Sequence, residues 1–206
     1  MKKLARDEIA ALGLALGGLG LMFVLTEYVG NLWYRLSWFY VAMIPAALLL
    51  VRLEWKKLFK FEPKHALWGV AAAAILYGVG WVGALLLREI WPGAGDEIER
   101  MYAVLADLPG WQVWPLLLFI IAGEELVWRQ AATQPFVQRL KDGAAVVGGV
   151  LFMLAHIPWA PPILCLASLF FGTAWSWMAV RTKSYWPPFI AHIGWDVLVM
   201  FVARYE

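Results

Sequence analysis

Charge is scarce in this chain. Lysine, arginine, aspartate and glutamate make up 16% of its 206 residues, against about 25% in an ordinary soluble domain. Hydrophobic residues make up 63%, where about 45–50% is usual. So few charges cannot solvate so much hydrocarbon in water, and the mean hydropathy of +0.68 points the same way. Lipid is the expected solvent. Cysteine is nearly absent: Cys165 stands alone, so no intramolecular disulfide can form. It lies in an apolar stretch with no nearby base or cation to activate it as a nucleophile. There is also no glycine-rich phosphate loop, no low-complexity tract and no convincing repeat. The lack of a repeat argues against a transporter built from two related halves. Basic residues concentrate in one short stretch, Arg52 to Lys64, which suits lipid headgroups better than nucleic acid.

What is present is a series of apolar segments. At about 20 residues per span, the length allows six to eight membrane helices. Seven segments are readable, near 8–26, 36–51, 66–87, 112–130, 144–157, 163–180 and 186–203. They predict an all-α polytopic transmembrane bundle of about seven spans, one integral membrane domain over 1–206. Met1-Lys2-Lys3 and the apolar run Ile9 to Leu25 have the look of a signal peptide. More apolar segments follow, so an uncleaved first membrane helix is the better reading.

The basic residues between segments set an orientation. Lys2, Lys3, Arg6, Arg52, Lys56, Lys57, Lys60, Lys64, Arg129, Arg139, Lys141, Arg181 and Lys183 fall on one side, 13 in all. Arg35, Arg88, Arg100 and Arg204 make only 4 on the other. The positive-inside rule then puts the N-terminus in the cytoplasm and the C-terminus outside, with the cell membrane as the expected location. Trp33, Trp38, Trp91, Trp111, Trp114, Trp159 and Trp186 lie near predicted span ends, where an amphipathic ring suits the headgroup region. Trp81 and Trp175 read as core packing. Between Arg88 and Trp111, Asp96 resembles an N-cap with Glu99 three residues on. Ile98, Met101, Tyr102 and Leu105 follow at helical spacing, predicting a short amphipathic helix on the outer interface. Gly13 to Gly17 and Gly143 to Gly149 read as helix-packing contacts.

Ionisable groups inside a span cost a few kcal/mol or more and are functional candidates by default. Three places carry them. In Gly123-Glu124-Glu125-Leu126-Val127-Trp128-Arg129, Glu124 lies about 18 Å of helix beyond Gln112. Glu125 and Arg129, four apart, can pair on one face. Glu124 points about 100° away, and a structural ion pair leaves it unexplained. In Phe152-Met153-Leu154-Ala155-His156, the histidine closes a span of only about 21 Å, short of the roughly 30 Å hydrocarbon core. Pro158, Pro161 and Pro162 then break the helix, beside irregular backbone that must line a polar cavity. After Pro187-Pro188, His192 and Asp196 share a helix face and could hydrogen-bond. Simple rulers put Glu124 about 12 Å from the inner face and His156 about 20 Å. Tilt, a cavity or a fourth helix running past Arg129 must close that gap.

Glu-Glu-x-x-x-Arg at 124–129, Phe-x-x-x-His at 152–156 and His-x-x-x-Asp at 192–196 resemble, in order and context, the CPBP family (CAAX protease and bacteriocin-processing). That family includes the type II CAAX prenyl endopeptidases, or Ras-converting enzymes, which are intramembrane glutamic proteases. The resemblance covers about 110–203, the catalytic-motif core. It implies that Glu124 and His156 activate a water, that His192 and residue 196 hold the oxyanion, and that Glu125 and Arg129 orient the site. It implies no cofactor or metal, and a peptide or protein substrate with a membrane-associated segment. Low-dielectric surroundings make a carboxylate a stronger base toward water, which suits this chemistry. One position departs from the pattern: Asp196 stands where the Ras-converting enzymes have Asn. An ionised Asp cannot donate to an oxyanion, so Asp196 either acts as a neutral acid or orients His192. Two other readings compete. One is a zinc protease with Glu124, His156 and His192 as ligands, although no His-Glu-x-x-His helix is present. The other is a non-catalytic membrane protein, such as an immunity factor or scaffold.

Overall fold

The structure, a computed structural model, describes residues 4–103, 107–108 and 110–205. Lys2, Lys3 and Leu105, used above for orientation and amphipathic spacing, lie outside the described residues. The described chain is helical, with no strand among its residues. Its helices are α1 (Arg6–Tyr28), α2 (Leu32–Leu50), the short α3 (Trp55–Leu58), α4 (Pro63–Ile90) and α5 (Ala94–Ala103). Next comes α6 (Gly110–Glu124), which continues through a π-helical stretch (Glu125–Ala131) and a 3-10 turn (Gln134–Phe136) into α7 (Val137–Leu140). Then follow α8 (Gly143–His156), α9 (Pro162–Thr182) and α10 (Trp186–Val197), the last extended by a second π stretch (Leu198–Val202).

Five of these are long and apolar enough to cross a membrane: α1, α2, α4, the composite Gly110–Leu140, and α9. Two shorter apolar helices, α8 and Trp186–Val202, lie where the remaining two of the seven hydrophobic segments are expected. The fourth helix does run past Arg129, to Leu140.

The bundle reverses the packing of a soluble protein. On α4 the residues turned inward are small, Gly69, Ala73 and Ala84, with His65 at its start. Leu67, Trp68, Val70, Ile75 and Leu86 face outward. Apolar side chains gain nothing by hiding from lipid, so helix contacts are left to small residues that let backbones approach. Gly69 lies under Ile190 and Gly194 against Ala73, which seats α10 on α4. Gly148 faces Thr133 and Ser176, Gly149 faces Thr173 and the Leu169 carbonyl, and Gly172 faces Phe152. These glycines close α8 onto α9, the most extensive helix pair.

Several expectations need correcting. Gly13 and Gly17 meet open space, and Gly143 touches only Leu140, so of those four glycines Gly149 alone packs a helix pair. The reason is that α1 turns inward the face carrying Ala11, Ala15 and Gly18, which leaves Gly13 and Gly17 exposed. Trp175 is buried as expected, but Trp81 is nearly half exposed on the outer face of α4. Asp96 does not cap α5. The helix starts two residues earlier, after Gly93 at φ +87°, a value glycine adopts without penalty. Asp96 and Glu97 thus sit in the first turn, where negative charge suits the helix dipole. Glu97 also accepts a hydrogen bond from the Ile163 amide at 3.3 Å, satisfying a donor in the first turn of α9. On the other end of the bundle, Glu8 is buried and pairs with Arg139 at 2.8 Å, tying α1 to α7.

A side chain at Gly149 must displace the Leu169 carbonyl, whose oxygen stands 2.9 Å from the place its Cβ would take. Gly149→Val should therefore cost about 1–3 kcal/mol of stability, whereas Gly13→Ala should cost nothing. Thermal unfolding of both variants in detergent checks the contrast.

Candidate active site

The π stretch is where the sequence departs from regular helix. The Ala132 amide donates to the Val127 carbonyl at 2.8 Å, five residues back, and the Thr133 hydroxyl takes the Trp128 carbonyl at 2.7 Å. Single π turns inside α-helices recur at functional sites because they re-aim the side chains around them. This stretch packs against α2, α8 and α9. Val127 through Thr133 have no exposed surface. It is the most enclosed part of the described chain.

At its start stand the two glutamates. Both face the same histidine of α10. Glu125 Oε1 accepts from His192 Nδ1 at 2.8 Å, and Glu124 Oε2 stands 3.6 Å from His192 Nε2. The expected pair is also formed: Arg129 Nε lies 3.4 Å from the same Glu125 oxygen, both side chains fully buried. The 100° separation of the two glutamates on a regular helix does not keep Glu124 away from this cluster. A π turn advances less per residue, and an imidazole offers nitrogens on two sides.

Aromatic faces enclose the charges. Trp175 of α9 stacks on the His192 ring at 3.6 Å between centroids and 20° between planes. The Arg129 guanidinium lies over Phe152 at 4.0 Å and near Trp175 at 5.4 Å. Cations are attracted to aromatic faces most strongly where water is excluded.

His156 is the last residue of α8. Its Nδ1 lies 2.8 Å from the Phe152 carbonyl, and its ring packs between Phe152 and Trp159. A carbonyl only accepts, so Nδ1 carries the proton and Nε2 keeps its lone pair in the neutral ring. Arg129 and His192 both lie within electrostatic range of it. Asp196, one turn beyond His192, is buried and within electrostatic range of Glu124 and His192. It does not hold Nδ1 of His192, because Glu125 occupies that place. The i, i+4 spacing made a His192–Asp196 bond the simpler expectation. A carboxylate from another helix reaches the ring instead.

Glu124, Glu125, Arg129, His156, His192 and Asp196 are therefore all buried, on three membrane segments that converge at the π stretch. Among the described residues no three His, Cys, Asp or Glu side chains are grouped to hold a metal ion. Two contributors carried no motif signal. Trp175 reads in sequence as plain core packing, and Tyr40 lies on α2, far from any motif. Its hydroxyl accepts from Trp128 Nε1 at 2.9 Å.

Residues 106–198 match the model of a family described as type II CAAX prenyl endopeptidase Rce1-like. That part of the chain carries all three motifs, and the match agrees with the resemblance they imply. No curated protein and no solved structure matches the chain.

Removing Arg129 would leave the Glu125 carboxylate buried without its cation. Arg129→Ala should cost roughly 3–5 kcal/mol, the range for breaking a buried pair from one side. Unchanged thermal unfolding in detergent would show that the pair contributes nothing.

Proposed function

We propose that the chain is an intramembrane endopeptidase that hydrolyses a peptide bond with a glutamate-activated water. The observation that carries this reading is the division of partners between the two histidines. His156 is bonded to a neutral carbonyl, which leaves Nε2 free to accept from water. His192 lies between two carboxylates with Trp175 on its face, surroundings that suit a doubly protonated ring able to donate from Nε2. One histidine is built as an acceptor and the other as a donor, as an acyl-transfer site requires.

In the proposed reaction the water oxygen attacks the peptide carbonyl carbon while Glu124 takes its proton, with His156 Nε2 holding the water. The tetrahedral oxyanion is met by His192 Nε2–H. Glu124 then returns the proton to the leaving nitrogen as the C–N bond breaks, giving a carboxylic acid and an amine. Glu125 fixes the His192 ring, and Arg129 neutralises Glu125. With Glu125 already orienting His192, the role left for Asp196 is that of a second, neutral donor to the oxyanion. The substrate is a peptide or protein with a membrane-associated segment. Prenylated C-terminal peptides, bacteriocin or pheromone precursors and C-terminal sorting tags all meet that description. The 13-to-4 distribution of basic residues supports an N-terminus in the cytoplasm and a C-terminus outside, in the cell membrane.

A farnesylated peptide ending in a CAAX sequence is the first substrate to try, with the purified chain in lipid nanodiscs. Glu124→Gln keeps the shape but removes the base, so cleavage should fall about 10²–10⁴-fold without loss of folding. Near-normal turnover by a folded Gln variant would refute the mechanism, and inhibition by chelators would favour the zinc reading. Comparing membrane peptides in cells carrying the parent or the Gln variant extends the test to the other substrate classes.

Asp196→Asn tests the second donor. If Asp196 donates only as a neutral acid, Asn should keep most of the rate and extend activity to higher pH, because an amide cannot ionise. A rate lost at every pH would return Asp196 to an orienting role. A rate unchanged by both Asn and Ala would make the residue structural.

A further inference from the structure

Tyr40 is buried on α2, outside the residues that match the family model and outside every motif. Three contacts place it. Its ring lies across Gly123, so closely that a Cβ there would stand 2.6 Å from ring carbons. Its hydroxyl reaches one turn further along the composite helix to accept from Trp128 Nε1 at 2.9 Å. Glu124 stands between those two residues in the chain, and the hydroxyl lies within electrostatic and hydrogen-bonding range of its carboxylate. Glycine at 123, next to the glutamate, is what permits the approach.

A phenol has one proton to give. Trp128 uses the oxygen as an acceptor, so the Tyr40 proton remains available, and the acceptor facing it is Glu124. We infer that Tyr40 is a positioning residue for Glu124, donating a hydrogen bond to its carboxylate while Trp128 holds the phenol oxygen. The inference rests on the reading of Glu124 as the base only for its catalytic meaning. The contact itself is independent of any reaction. It would fix the rotamer of the side chain from the α2 side, opposite His192 of α10, and would stabilise the charged form of the carboxylate.

The other titratable or charged groups facing Glu124 are Glu125 and Arg129 from its own helix and His192 and Asp196 from α10. None of them changes in Tyr40→Phe, which keeps the ring on Gly123 and removes the hydroxyl alone. The readout is an infrared pH titration of the Glu124 carboxyl band on the full chain in nanodiscs, with the band identified by its loss in Glu124→Gln. Losing a donor to a carboxylate favours the protonated form, so Tyr40→Phe should move the midpoint up by roughly one pH unit. Trp128→Phe breaks the same α2 contact from the other side but leaves the hydroxyl, and should move the midpoint by less than half as much. An unchanged midpoint in Tyr40→Phe overturns the inference. So does an equal shift in Trp128→Phe, which would assign the effect to loosened packing. If Tyr40→Phe does not fold, 3-fluorotyrosine at position 40 supplies a stronger donor and should lower the midpoint. No movement there also overturns the inference. A chain that cleaves no peptide yet shows the Tyr40-dependent midpoint would sink the protease reading and leave this one intact.

Discussion

Glu125 Oε1 holds Arg129 from its own helix and His192 from α10 at one buried point. Each of these charges alone would be very costly to bury, by several kcal/mol even after relaxation. Held together they neutralise one another, and only in one arrangement of the helices. The composite fourth helix, α9 through Trp175 and α10 through His192 must all be in register for that to happen. A packed bundle in lipid has little hydrophobic force between its helices. Directional contacts of this kind therefore determine which bundle forms, while close packing determines how tightly.

The tight packing comes from glycine. Gly148, Gly149 and Gly172 bring α8 and α9 close enough for Phe152 to slide between His156 and Arg129. Gly69 and Gly194 do the same for α10 against α4. Because α8 spans only 14 residues, its end falls within the bundle and delivers His156 to the level of the π stretch. A full-length span would have carried that histidine toward the surface. The short helix and the π turn are two local irregularities with one joint effect, bringing groups from separate helices to the same depth.

Two histidines of identical chemistry are made different by their partners. His156 has a carbonyl of its own helix, so its hydrogen-bond partner comes from α8 itself. His192 has carboxylates from a different helix, so both its orientation and its electrostatic surroundings depend on tertiary packing. The proposed reaction needs that difference.

Much of this was legible in the residues themselves. Apolar runs with few charges permit only helices in lipid, because every backbone polar group must be satisfied internally; the seven segments follow from that constraint. The Glu125–Arg129 pair is equally local, set by a four-residue spacing that nearly closes one turn. The six candidate site residues stand out because charge inside a span is expensive. Tertiary structure decided which groups meet. No spacing rule foretells that Glu125 rather than Asp196 holds His192, since the contact joins residues 67 apart in sequence. No motif points to Tyr40, because its place beside Glu124 depends on how α2 leans across Gly123. Gly13 and Gly149 sit in similar small-residue spacings, yet only Gly149 faces another helix. Local spacing fixes which side chains share a face, but the neighbour that face meets depends on the packing of the whole bundle.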